Sequence, residues 1–150
     1  MSKNDSIRYM DQDFDRRISI AVNHTLPAWQ VLNAVAHISA HFGQLLGAQL
    51  ISGDFFETRD GLKYPRNSQY PIIVLSAGPD QLPTFAQRAR TTKDVQAMYF
   101  IREMIETTSD KEISQWLSKK DSNEVELLGV GIFGHHEPVK RLTSQFKLWS

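Results

Sequence analysis

The 150-residue chain reads as an α/β domain in which a mostly parallel sheet is covered by helices on both faces. Three observations predict this. Strand-like and helix-like patterns alternate from Arg17 onward, which favours parallel strands joined by crossover helices. Tyr70 to Gly78, YPIIVLSAG, is apolar without alternation, as a strand covered on both faces requires. Ile18 to Gly53 runs 36 residues without an Asp, Glu, Lys or Arg, where the 23% charged composition would place about eight.

The elements follow in order. Residues 1–16 read as a polar arm and 17–150 as one domain. Arg17 to Asn23, RISIAVN, alternates and is β-branched enough for a first strand, and Pro27 sits in the first turn of a long helix reaching about Gly47. An extended piece is expected around Gln49 to Ser52. A surface loop then follows, with turn chemistry at Arg59-Asp60-Gly61 and prolines at Pro65 and Pro71. Tyr70 to Gly78 is expected to be the central strand. Pro79 to about Thr92 reads as a helix and Val95 to Ile101 as a strand. Ser109-Asp110-Lys111-Glu112 has the spacing of a capping box opening a helix through Leu117. Val125 to Gly134 is a further strand whose glycines predict close approach of another backbone. A short helix at Val139 to Thr143 precedes Phe146 to Trp149.

Composition excludes several classes of function. The absence of cysteine removes thiol nucleophiles, Cys-based zinc sites and disulfides, and favours a reducing, cytoplasmic setting. The N-terminus lacks the apolar core of a signal peptide, and no apolar run approaches the ~20 residues that span a bilayer. No membrane association is expected. Seventeen basic and seventeen acidic side chains cancel, which disfavours general nucleic-acid binding. Two modest basic clusters remain: Arg88, Arg90 and Lys93, and Lys140, Arg141 and Lys147.

The charge-free helix carries polar groups on one face. At 100° per residue Gln30, Asn33, His37, His41 and Gln44 fall within roughly 80° of arc, beside an apolar face of Val31, Val35, Ile38, Phe42, Leu45 and Leu46. Burying such a group without a hydrogen bond costs roughly 1 to 3 kcal/mol, so a buried stripe needs partners or a ligand. In a mostly parallel sheet the ligand crevice lies beyond the carboxyl ends of the strands. That expectation gathers Asn23-His24-Thr25, Ala77-Gly78 and Gly134-His135-His136 at one corner. His37 and His41 have metal-ligand spacing, but Ile38 stands where a metalloprotease motif has its glutamate and no carboxylate or thiolate is near in sequence, so no metal is expected. Ser39, Ser76 and Thr143 lack the glycine-flanked elbow of a nucleophile. Gly129, Gly131 and Gly134 lack the Lys-Ser/Thr of a phosphate loop. No cofactor is expected.

Three segments carry a resemblance: LPAWQVLNAVAH (Leu26 to His37), GLKYPRNSQYPIIVLSA (Gly61 to Ala77) and GVGIFGHHEPVKRLTSQFKLW (Gly129 to Trp149). They resemble an uncharacterised bacterial family, the domain of unknown function numbered two thousand, in the peptidyl-tRNA hydrolase type two-like superfamily. The resemblance spans about Arg17 to Trp149. It implies a three-layer α/β/α fold with a mixed, mostly parallel four-stranded sheet. It also implies where chemistry would sit and where this chain departs from it. The superfamily's hydrolases place a lysine seven residues before the histidine that His37 matches, and that position here is Gln30. An amide supplies no cation to a phosphate or oxyanion. The catalytic aspartate has no counterpart, Gly129 stands where one threonine would be, and Ser144 replaces the glycine after the matching Thr143.

Three functional readings follow. The first is a non-hydrolytic binding module whose pocket, drawn from Asn23, His24, Gln30, Asn33, His37, Gly78, His135 and Thr143, holds a small polar ligand or peptide end. The second is a peptidyl-tRNA hydrolase-type esterase, with His37 as base or orienting group and the C-terminal basic cluster on phosphate. The third is a self-associating interaction module, such as a homodimer, built on Trp116, Phe146 and Trp149. The lost lysine and aspartate favour the first.

Overall fold

The computed structural model describes residues 11–150, so the expected arm lies partly outside the described residues. Where it is described, the chain before the first strand runs along the body: the Asp13 N–H donates to Gln69 O and the His136 N–H to Asp15 O, both at 2.7 Å.

The first strand, β1 (Arg16–Asn23), feeds helix α1 (Ala28–Leu46) through Pro27. The helix ends because Gly47 turns to φ 49°, a left-handed conformation that glycine adopts without the Cβ penalty. Strands β2 (Phe55–Glu57) and β3 (Lys63–Pro65) form a small antiparallel hairpin. Then come β4 (Ile72–Ala77), α2 (Gln81–Thr91), β5 (Gln96–Ile101), a single turn α3 (Glu103–Glu106) and α4 (Asp110–Leu117). The chain closes with β6 (Leu127–His135), α5 (His136–Thr143) and β7 (Lys147–Leu148).

The main sheet has five strands in the order β5-β6-β1-β4-β7. β1 and β4 pair in parallel, whereas β6 is antiparallel to β1 and β5, and β7 to β4. This corrects the expected four-stranded, mostly parallel sheet. The α3–α4 unit returns the chain to the end of the sheet where β5 finished, so Leu127 starts opposite Ile101 and β6 runs back. It also corrects the position of Tyr70 to Gly78. The centre is β1, whose Ile18 to Asn23 are all buried, while β4 lies one strand from the edge.

Side chains alternate across β1, as the two-residue strand period requires. Ile18, Ile20 and Val22 meet Val31, Ala34, Ile38, Phe42 and Leu46 of α1, and Phe100 and Leu128 complete that layer. Ala21, Leu75, Val130 and Ile132 face Leu82, Phe85, Ala86 and Ala89 of α2 and Val139 and Leu142 of α5. Helices therefore cover both faces, giving three layers. Leu128 reaches the α1 layer because the ladder slips between Phe100 and Ile101, a bulge that re-aims one residue.

Close approach of another backbone is expected from the sequence at the strand glycines of β6, but Gly131, and in part Gly129, make room for side chains of α1. A Cβ on Gly131 would stand 2.2 Å from Ile38 Cγ2 and 2.9 Å from Phe42 Cε2, and one on Gly129 3.3 Å from Ile38 Cδ1. Gly134 fits the expected reading, with Asp94 O at 3.1 Å, and Gly129 also has a backbone neighbour, Ala21 O, at 3.4 Å. The extended piece at Gln49 to Ser52 is instead a 3-10 turn over Gly47–Gln49 followed by bends. The loop beyond it contains the β2–β3 hairpin, closed where the Thr58 N–H donates to Leu62 O at 2.9 Å and Gly61 takes φ 90°. Among the described residues no helix is long and apolar enough to cross a membrane.

Candidate functional site

β1, β4 and β5 all finish at one end of the sheet, because β5 and β4 both run in the direction of β1. α1 starts from that end and α3–α4 folds over beside it. Between them runs an open groove of about 790 Å³. Trp29, Asn33 and His37 form its α1 wall, Phe100 and Met104 its floor, and Ile105, Thr107, Thr108, Asp110, Ile113, Ser114 and Leu117 the far side. Its walls are largely apolar, with a few polar groups spread along them.

The α1 wall arises from helical spacing. Val31, Ala34, Ile38 and Phe42 turn inward, which places Trp29, Asn33 and His37 on the flank toward α4. The His37 ring stacks on Phe100 at 5.1 Å between centroids and 25° between planes. Phe100 is buried, so it fixes one face of the imidazole. Trp29 remains 59% exposed, an unusual cost for a large ring.

The opposite wall is held by local hydrogen bonds. Ser109 caps α4 by accepting from the Glu112 N–H at 3.3 Å, but the expected reciprocal half of the box is replaced. Thr107 intervenes: its hydroxyl accepts from the Ser109 N–H at 3.1 Å and donates to the Glu112 carboxylate. A complete box stands instead at Asp121 and Glu124. Beneath the wall, Glu103 is 3% exposed. Its Oε1 accepts from Lys120 Nζ at 2.6 Å, and its Oε2 has no hydrogen-bond partner.

Arg102, just after β5, is the charged pivot at this end. Its Nε and Nη2 donate to Glu126 at 2.9 and 2.8 Å, and its Nη1 donates to Gln30 Oε1 at 3.0 Å. The Arg102 hydrogen bonds hold the Glu126 carboxyl below the usual carboxylate range despite the opposing effect of desolvation, and Glu126 in turn raises Arg102. A cation thus stands beside Gln30, neutralised by a bidentate carboxylate.

His41 and Gln44 are exposed and line none of this groove, and Leu45, expected on the apolar face, is exposed as well. Asn23 is buried at the end of β1, where its Oδ1 accepts from Thr25 N and Thr25 Oγ1 at 2.9 and 2.7 Å. His24 is exposed beside it, with its N–H on Ala77 O at 3.0 Å. The Gly78 N–H donates to Gln81 Oε1 at 2.7 Å. Thr143 is buried and its hydroxyl donates to Val139 O at 2.8 Å within α5. His135 does not join this corner. It pairs with Arg16 at the opposite end of the sheet, because β6 is antiparallel to β1. Phe146 belongs to the core, 5.0 Å from Phe85, while Trp149 is 41% exposed at the β7 edge. Sequence reasoning missed Trp29, Thr107, Thr108, Asp110 and Ser114 as groove residues. Trp29 was signalled by its spacing, four residues before Asn33 and thus one turn below it at the edge of the polar stripe. The others became neighbours of α1 only through the turn back at α3.

Fold and groove define a three-layer α/β domain with an open, mostly apolar trough beside its first helix. A family profile described as "Protein of unknown function (DUF2000)" matches residues 16–150, and the chain belongs to that family. No curated protein matches it. A solved structure of a protein of unknown function from Agrobacterium tumefaciens is similar, with a TM-score of 0.79 and 23% identity. The similarity covers 92% of this chain and 100% of that one, and it shows a shared fold.

Proposed function

We propose that this chain is a non-hydrolytic binding module, related to the peptidyl-tRNA hydrolase type two-like superfamily, whose groove receives a small polar ligand or the end of a peptide. The observation that carries this reading is the α1 wall: Asn33 and His37 line the groove over buried Phe100, with exposed Trp29 beside them. An amide and an imidazole offer donors and acceptors without committing a fixed charge. Apolar walls then hold the body of the ligand while these groups read its polar end.

Two further observations favour binding without hydrolysis. Gln30 spends its amide oxygen on Arg102, and the charge of Arg102 is matched by Glu126, so this cation is already committed rather than held out to a phosphate or an oxyanion. Among the described residues the contact of the His37 ring is its stacking on Phe100, whereas a general base is normally held in its tautomer by a carboxylate or carbonyl that accepts from its ring N–H. A thermal-shift screen of dipeptides and N-acetylated amino acids tests the reading, since a ligand of the folded state raises its stability by mass action. At a hundredfold excess over Kd the gain is about 2.7 kcal/mol. The shift should vanish in Asn33→Ala and His37→Ala. N-blocked aminoacyl-tRNA should remain intact, and turnover above a His37→Ala control would establish the esterase instead.

A further inference from the structure

Two basic clusters some fifty residues apart in the sequence meet in the fold. Arg88 lies in the last turn of α2 and Arg141 in the last turn of α5, and both helices pack on the same face of the sheet. Both arginines line one cleft of about 240 Å³ with Thr91, Thr92, Pro138 and Leu142. Among the described residues neither guanidinium is paired with a carboxylate. The ion pairs there are Arg102 with Glu126, Lys120 with Glu103, and a 3.8 Å approach of His136 to Glu137. Arg90, two residues on and turned to another side of α2, lies 4.6 Å from the Tyr99 ring centre.

A basic side chain at a helix C-terminus offsets the negative end of the dipole, and that accounts for each arginine alone. It does not account for two of them opening into one concavity, where like charges repel. An anion between them relieves that repulsion and accepts the forked N–H groups of both. The Thr91 and Thr92 hydroxyls already donate to carbonyls of α2, at 3.2 Å to Gln87 O and 2.7 Å to Arg88 O, so the guanidinium groups supply the donors. The cleft is smaller than the roughly 300–1,000 Å³ of pockets that enclose a whole ligand. It therefore suits one group, with Pro138 and Leu142 offering apolar contact to the carbon beside it.

We propose that the α2–α5 cleft binds the phosphate group of a small phosphate monoester between Arg88 and Arg141. The site lies on the face of the sheet opposite the α1 groove and is independent of the reading given to that groove.

The test is a titration of the full ¹⁵N-labelled chain with inorganic phosphate and, separately, glycerol 3-phosphate, at constant ionic strength, following arginine Nε–H and backbone amide resonances. Saturable shifts confined to Arg88, Thr91, Thr92, Arg141 and Leu142, with the ester binding more tightly than inorganic phosphate, are expected. Arg88→Gln and Arg141→Gln should each weaken binding about tenfold, the loss of one charge-assisted contact, while Arg90→Gln leaves it unchanged. Non-saturable shifts, saturable binding that survives in the Arg88→Gln/Arg141→Gln double variant, or an ester no tighter than inorganic phosphate would overturn the proposal. So would preferential, steeply salt-dependent binding of a single-stranded RNA oligomer, which would mark a polyanion track.

Discussion

At the scale of single residues, the fit between α1 and the sheet turns on a missing side chain. Gly131 leaves the space that Ile38 Cγ2 and Phe42 Cε2 occupy, and Ile38 is β-branched and fully buried, so it cannot swing aside cheaply. Gly131→Ala should therefore destabilise the protein by about 1–3 kcal/mol, the usual range for overpacking a core. A urea melt checks this, and an unchanged midpoint would show that α1 shifts freely on β6. Arg102 and Glu126 make a second residue-scale prediction. Because the folded Glu126 carboxyl is held below the usual range, its contribution is present at neutral pH and is lost as pH falls through and below that range. Glu126→Gln should be less stable than the parent at pH 7, by on the order of 1 kcal/mol or less for so exposed a pair. The two should converge once Glu126 is protonated. A gap that widens in acid would reverse the sign of the assignment.

At the scale of elements, the far wall of the groove is held by the Thr107 relay and by the buried Glu103. Replacing Thr107 with Val removes both the acceptor for Ser109 N–H and the donor to Glu112. The first turn of α4 should then exchange its amide hydrogens faster, at a cost of about 1 kcal/mol, typical of a lost cap. Hydrogen exchange measured along α4 would reveal it. Lys120→Ala strands the Glu103 carboxylate in a buried site, whereas Glu103→Leu leaves an exposed ammonium, so the first should lower the denaturation midpoint more than the second. The sequence made some of these elements legible and hid others for physical reasons. β1, α1, α2, β5, β6 and α5 are long enough for a pattern to register, β4 stands out as an unbroken apolar run, and the structure places each within a few residues of the expected bounds. β2, β3 and β7 have two or three residues each, too few for any period to register. The Ser109 to Glu112 spacing signalled the right helix start, but sequence spacing alone does not reveal a third hydroxyl between the two partners.

At the scale of the whole molecule, strand direction decided which candidates could share a site. The alternation of strands and helices predicted parallel strands, and it misled because the α3–α4 unit reverses the chain without crossing the sheet. His135 therefore sits opposite Arg16, far along β6 from the end where Asn23 pairs with Ala77. The helical stripe was readable because its phase depends only on local geometry, and it puts half-buried Asn33 and exposed His37 on the flank that borders the groove. What faces them depends on α3 and α4, and that contact is tertiary. The account centres on the trough those three helices enclose. Its most direct test is a ¹H–¹⁵N titration of the full chain with the strongest dipeptide or N-acetylated amino acid from the thermal-shift screen. Saturable shifts at Asn33, His37, Ile105 and Ile113, abolished in the Asn33→Ala/His37→Ala variant, are predicted. Shifts centred elsewhere, or binding that survives that variant, would contradict it.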